Sequence, residues 1–304
     1  IMVESLDAGV PLIRQLSSHI IAAGGKRLRP SLTLASAKLF DYTGERHIHL
    51  AACVEFIHTA TLLHDDVVDE STLRRGEATA NSLFGNQASV LVGDYLLSRA
   101  FQLMTADGSL KVLRILSNAS AVIARGEVKQ LEVSGNPQAS EEDYLDVIGS
   151  KTAALFAAAC ELGPVICEQE QHEAALRDYG YNLGIAFQMI DDALDYSASQ
   201  EKLGKNIGDD FREGKITLPV ILAYREGSED ERRFWHRTLE DNDRQENDLA
   251  YCQTLMERYG TINATIERAR MYATKAIDCL QALPEVISKQ ALTEAALFCV
   301  SREY

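Results

Sequence analysis

The sequence predicts an all-α protein, on three observations. Six prolines interrupt 304 residues, long segments repeat apolar residues with a period of about 3.6, and no run of alternating β-branched residues competes with them. Helices are expected at roughly 2–23, 31–41, 48–69, 88–106, 110–133, 141–162, 170–197, 218–225, 229–240, 246–259, 262–282 and 287–302. No short-period repeat appears and no linker rich in Gly, Pro or Ser divides the chain, so one domain over residues 1–304 is expected.

Composition narrows the function classes. A chain that is 46% hydrophobic can bury one large core or two ordinary ones. Its net charge of −15, with no basic run to offset it, argues against nucleic acid as a partner. No apolar stretch approaches the roughly 18 residues that cross a bilayer, and no signal peptide is visible, so a cytoplasmic location is expected. The chain opens at Ile1-Met2, which leaves room for native residues before it. Six cysteines without a CxxC pair, mostly among apolar neighbours, read as reduced core residues.

In chain order, Gly24-Gly25-Lys26-Arg27-Leu28-Arg29-Pro30 separates the first two helices. The glycines let the backbone turn, and Pro30 suits the first turn of the next helix. Its cations either solvate a helix end and complement the dipole there or hold a diphosphate. From His58 to Arg75 an apolar helix runs into Asp65, Asp66 and Asp69, then after a short turn into Arg74 and Arg75. Asp65 and Asp69 project from one face a turn apart and repel, so a cation is expected between them. Oxygen-only ligands suit a hard ion such as Mg²⁺, which keeps water and phosphate oxygens in its shell. The two guanidinium groups supply forks for phosphate. Alone, this cluster could equally be a solvated acidic helix end.

The segment 88–105 is apolar nearly all round and is expected to be central, with Asp94 as a structural hydrogen-bonding group. Lys151, between Ser150 and Thr152, stands among small and apolar residues and needs an anionic partner, either a phosphate or a carboxylate. Phe187–Tyr196 then repeats the first pattern, with Asp191, Asp192 and Asp195 ending an apolar helix and Gln188 on a face similar to that of Asp191. A loop over 202–219 follows and carries Lys205 and Lys215. Two acidic clusters on different helices, each with cations at hand, could hold several Mg²⁺ ions that clamp a diphosphate leaving group.

Taken together, GGKRLRP at 24–30, EFIHTATLLHDDVVDESTLRRG at 55–76, GDYLLSRAF at 93–101, SKTAALF at 150–156, FQMIDDALDY at 187–196 and GKNIGDD with GKITLP at 204–219 resemble the long-chain trans-polyprenyl diphosphate synthases, of the octaprenyl and decaprenyl type. The resemblance implies a helical bundle of the isoprenoid synthase type with a central active-site cavity, usually a homodimer. It implies repeated condensation of an allylic diphosphate (farnesyl or geranylgeranyl) with isopentenyl diphosphate. The product would be a long all-trans polyprenyl diphosphate, with quinone side chains as the expected use. By the same resemblance Asp65, Asp69 and Asp191 are the Mg²⁺ ligands, for up to three ions, supported by Asp66, Asp192 and Asp195. Arg74, Lys151 and Lys215 hold the allylic diphosphate, with Lys205 in the same loop. Lys26, Arg29, His58 and Arg75 form the isopentenyl diphosphate site, and Thr152 and Gln188 stand beside the reacting carbons. The departing pyrophosphate is the implied base.

Chain length follows from helix geometry. Thr61 is one turn, about 5.4 Å, below Asp65, with Ala60 beside it. Both are small where short-chain relatives carry an aromatic floor, Val54 and Ala51 continue the face, and Phe56 is about half a turn away from it. The product is therefore expected to pass well beyond farnesyl and to stop at Phe101 or Met104, with transient membrane contact as it leaves. A class I terpene cyclase would not usually carry two such clusters and the glycine-cation turn. A non-catalytic partner subunit would be expected to have lost carboxylates or cations.

Overall fold

The structure is a computed structural model that describes residues 9–22, 25–74, 76–197 and 208–301. In chain order the elements are α1 (Pro11–Ala22), α2 (Leu28–Lys38), α3 (Arg46–Val68), the antiparallel pair β1 (Leu73–Arg74) and β2 (Glu77–Ala78), α4 (Ala80–Phe84), α5 (Asn86–Asp107), α6 (Leu110–Val133), α7 (Glu141–Ile148), a π turn π1 (Gly149–Ala153), α8 (Ala154–Ile166), α9 (Glu170–Asp195), α10 (Asp209–Glu213), α11 (Leu218–Glu226), α12 (Glu229–Trp235), a second π turn π2 (His236–Glu240), α13 (Asp248–Arg258), α14 (Thr261–Cys279) and α15 (Ile287–Val300). The chain falls into two compact units. One comprises Ile1–Ser120, Leu155–Arg177 and Ala282–Leu292; the other comprises Ala121–Ala154, Asp178–Gln281 and Thr293–Tyr304.

In the first unit α3 and α5 pack side by side in opposite directions. The Arg46 guanidinium donates two bonds of 2.8 Å to Asp107, Cys53 lies 3.4 Å from the Ala100 carbonyl, and the Ser89 hydroxyl donates to the Leu63 carbonyl at 2.9 Å. Leu50, Leu63, Leu96 and Met104 are buried in this unit, each side chain contributing roughly 1.5–3 kcal/mol by leaving water. The opposite face of α5 is open. Leu91 is 67% and Phe101 43% exposed, and Asp94 faces solvent beside His64, 3.4 Å from its Nε2. The helix therefore carries one exposed apolar stripe instead of being enclosed all round, and Asp94 is a surface carboxyl beside His64 of α3 instead of an interior hydrogen-bonding group.

In the second unit the core gathers around Trp235, which is fully buried with Phe234 edge-on at 5.1 Å. The polar stretch 227–248 thus conceals a core anchor, because an isolated tryptophan among charges shows no apolar periodicity. All six cysteines are free thiols. The helix expected from residue 2 begins at Pro11 among the described residues, since proline lacks an N–H and its ring crowds the preceding turn. The helix expected over 141–162 is broken by π1, and the one over 229–240 ends in π2. The strand pair, α4 and α10 have no counterpart in the expectation. The last of these occupies part of the stretch read as a loop over 202–219.

Glu231 organises the start of α12. Its carboxylate accepts from the Ser228 N–H at 2.7 Å, the Ser228 hydroxyl at 2.9 Å and the Tyr259 hydroxyl at 2.8 Å, and it also pairs with Arg258. These donors, the Ser228 amide first, hold its pKa below the ordinary 4.5. A depressed carboxylate pKa stabilises the fold above the unfolded-state value and loses that stabilisation as pH falls through the folded one. Glu231→Gln is accordingly expected to lower stability at pH 7 by about 1–3 kcal/mol, with the deficit shrinking below pH 4.5. Urea unfolding of both proteins across this pH range checks it, and a deficit independent of pH would refute the assignment.

Candidate active site

The first aspartate cluster closes α3. Asp69 caps the helix, its N–H donating to the Asp65 carbonyl at 2.8 Å, so the two residues are a full turn apart on one side. Asp66 between them is buried and accepts from Arg74, Nε at 2.9 Å and Nη2 at 2.7 Å. The two-residue strands β1 and β2 bring Arg74 back to the helix end. Asn81 pins this return by donating to the carbonyls of Asp66 and Ser71 at 3.0 and 3.1 Å, and Thr79 by donating to Ser71 at 2.8 Å. Asp65 and Asp69 are half-buried. His64, next in sequence, is engaged by the Val90 carbonyl at 3.2 Å and by Asp94, so the cluster presents oxygen donors.

The same unit brings Arg29 of α2 to His58 of α3. Arg29 Nη1 lies 3.2 Å from His58 Nε2, and its guanidinium stacks 4.4 Å above the Phe156 ring. Lys26 is exposed just before α2. Arg75 and Lys205 lie outside the described residues.

The second cluster ends α9 in the other unit. Asp191 is half-buried, whereas Asp192 and Asp195 are buried. Asp192 accepts from the Tyr144 hydroxyl at 2.6 Å and from Gln188 Nε2 at 2.8 Å, while Gln188 Oε1 accepts from the Thr152 hydroxyl at 2.8 Å. Asp195 accepts from the Asp210 N–H at 3.0 Å. Burial, followed by the nearby Asp210 charge, pushes the Asp192 carboxyl up to about 7. A cavity of about 100 Å³ opens here, lined by Lys151, Thr152, Gln188, Asp192, Asp210 and Lys215 among others. Two lysines beside acidic and hydroxyl groups suit an oxyanion whose counter-charges are partly held in place. Lys151 donates to Glu127 at 2.7 Å, so a carboxylate is one partner of this lysine, and Lys215 pairs with Glu213.

Both clusters therefore divide in the same way. Asp66, Asp192 and Asp195 are buried with their oxygens engaged by protein donors, and the outer Asp65, Asp69 and Asp191 keep partial exposure. An oxygen-only set of half-exposed carboxylates fits a hard divalent cation. On the chain-length face, Ala60 is buried and Thr61 half-buried, its hydroxyl donating to the His58 carbonyl at 2.8 Å. Phe56 and Met104 are core residues, while Phe101 stands on the exposed stripe of α5.

Residues 10–256 match the Polyprenyl synthetase family. The chain belongs to this family of prenyltransferases. It is 48% identical to the octaprenyl diphosphate synthase of Escherichia coli, over 99% of this chain and 94% of that one. Among solved structures it resembles a decaprenyl diphosphate synthase from Rhodobacter capsulatus, with 52% identity, a TM-score of 0.95 and coverage of 99% and 93% of the two chains. It also resembles a polyprenyl synthase from Caulobacter crescentus complexed with calcium and isoprenyl diphosphate, with 49% identity, a TM-score of 0.96 and coverage of 100% and 93%. The helical polyprenyl synthase fold is thereby shared along the chain. Among the described residues no helix is long and apolar enough to cross a membrane.

Sequence reasoning missed Tyr144, Glu127 and Asp210. The first two lie on helices remote in sequence from the groups they touch, so no local pattern marks them. Asp210 belongs to the GDD of the motif at 204–210 and could have been found there. Tyr144→Phe is expected to cost about 1–3 kcal/mol, because Asp192 loses one of its donors in a buried setting. Denaturant unfolding measures it, and an unchanged midpoint would show that Asp192 does not depend on this bond.

Proposed function

We propose that the chain is a Mg²⁺-dependent long-chain trans-polyprenyl diphosphate synthase, extending an allylic diphosphate with isopentenyl diphosphate to octaprenyl–decaprenyl length. The observation that carries this reading is the shared division of the two aspartate clusters into bonded interior carboxyls and half-exposed outer ones. Asp65, Asp69 and Asp191 would hold the metal, up to three ions. The calcium and isoprenyl diphosphate of the Caulobacter crescentus relative support both ligand classes. When bound, the metal neutralises charge that builds on the departing pyrophosphate.

The protein's own groups do the rest. Arg74, Lys151 and Lys215, with Lys205 alongside, hold the allylic diphosphate and stabilise negative charge as its carbon–oxygen bond breaks. Lys26, Arg29, His58 and Arg75 take isopentenyl diphosphate. The hydrogen-bonded Thr152–Gln188 pair is assigned to the position beside the allylic carbon, in a site that must exclude water because water would trap the cation as an alcohol. The isopentenyl double bond then attacks the allylic carbon, and the adjacent carbon loses a proton to pyrophosphate. The whole chain acts as one polyprenyl synthase domain in a homodimer, in the cytoplasm, for quinone side chains. The exposed stripe of α5 with Leu91 and Phe101 supports pairing with a second copy, and an apolar product favours transient membrane contact on release.

The purified chain with farnesyl diphosphate, labelled isopentenyl diphosphate and Mg²⁺ is expected to give a ladder ending at eight to ten isoprene units, the range of the named relatives. Asp65→Ala is expected to lose on the order of 10²-fold or more in turnover, the scale for one preorganised electrostatic group. Absence of turnover by the unaltered chain would favour a partner-subunit role instead. Thr61→Phe adds bulk at a half-buried position a turn below Asp65 and is expected to end the ladder at short products. An unshortened ladder would remove Thr61 from the chain-length face.

A further inference from the structure

We propose that Arg125, Gly126 and Glu127 of α6 form a positioning element for Lys151, with Glu127 as its principal residue. This rests on the assignment of Lys151 to the allylic diphosphate. Three consecutive residues of α6 engage two consecutive residues of π1. Arg125 Nη2 donates to the Ser150 hydroxyl at 3.0 Å, and Lys151 Nζ donates to Glu127 Oε2 at 2.7 Å. Gly126 lets the backbones meet: a Cβ there would stand 2.7 Å from the Lys151 nitrogen and 2.8 Å from the Ser150 Cβ.

The other side of π1 is equally close. A Cβ on Gly149 would stand 2.6 Å from the Tyr181 hydroxyl, and Thr152 donates to Gln188 of α9. A π turn offsets the backbone from the α path and recurs at functional sites. Here it is held from both sides, and Lys151 is presented from it. A lysine on a four-carbon stem samples many rotamers. Charge-assisted bonding to Glu127 restricts it to one direction, with both side chains about three-quarters covered. Lys151 lines the cavity of the second cluster, so Glu127 acts on a bound diphosphate through the lysine.

Steady-state kinetics of the full-length protein with farnesyl diphosphate varied, for Glu127→Ala, Lys151→Ala and the double variant, test this. Glu127→Ala is expected to lower kcat/KM for farnesyl diphosphate by on the order of 10- to 100-fold, the scale of a misplaced reacting group, with KM for isopentenyl diphosphate unchanged. Glu127→Gln, which keeps an acceptor for the ammonium, is expected to lose less. The double variant is expected to lose no more than Lys151→Ala, because residues acting as one unit are non-additive. Gly126→Ala, which displaces π1 from α6, is expected to resemble Glu127→Ala. A merely structural Glu127 would lower the melting temperature without changing kcat/KM and would show no coupling to Lys151, and that result overturns the proposal. If Lys151→Ala loses turnover while Glu127→Ala keeps it, the positioning role alone fails. If Lys151→Ala keeps full turnover, the assignment of Lys151 fails and the proposal with it.

Discussion

A carboxyl taken out of water needs donors, and in the second unit Asp192 sets where those donors stand. Tyr144 must present its hydroxyl from α7, and Gln188 must turn its amide nitrogen toward the acid. The orientation of Gln188 leaves its oxygen free to accept from Thr152, which fixes the end of π1. One buried acid thus orders a chain of side chains from three elements, α7, π1 and α9. Such a network rigidifies a site when every member is satisfied and destabilises it when one is missing.

The first unit reaches the same end with a charge. Asp66 is covered by Arg74, whose guanidinium is brought back by a two-residue strand pair pinned by Asn81 and Thr79. A buried ion pair contributes little net stability, since desolvation offsets its attraction. Its worth here is geometric, because it fixes Arg74 and the return of the chain at the end of α3. In both units buried hydrogen bonds hold the inner carboxyls, while the outer ones keep partial exposure.

Much of this was legible in the sequence. Period and length located the long helices because their faces are set by burial, and the two aspartate clusters stood out because like charges at a helix end need a reason. Two-residue strands such as Leu73–Arg74 are too short to show alternation, and their placement depends on a tertiary pair with Asp66. A π turn shifts hydrogen bonding by one residue without any change of composition, so 149–153 read as ordinary helix. Lys151 was seen to need an anion, but Glu127 lies in another helix and only folding joins them. The burial of Trp235 and the exposure of Asp94 escape the sequence for the same reason, since neighbours in sequence do not predict neighbours in space.

The π turn at 149–153 also makes chain length, rather than side-chain identity, a determinant of the site. It amounts to a residue inserted into what would otherwise be one continuous helix joining α7 and α8. Deleting a single residue there would restore a more regular helix and remove the offset backbone that now carries Lys151 and Thr152. Tyr144 and Thr152, which both serve the Asp192 network, stand on opposite sides of or within that insertion and could no longer serve it together. Alignments of this region that trade a gap for better local similarity would therefore misplace the lysine and the threonine together.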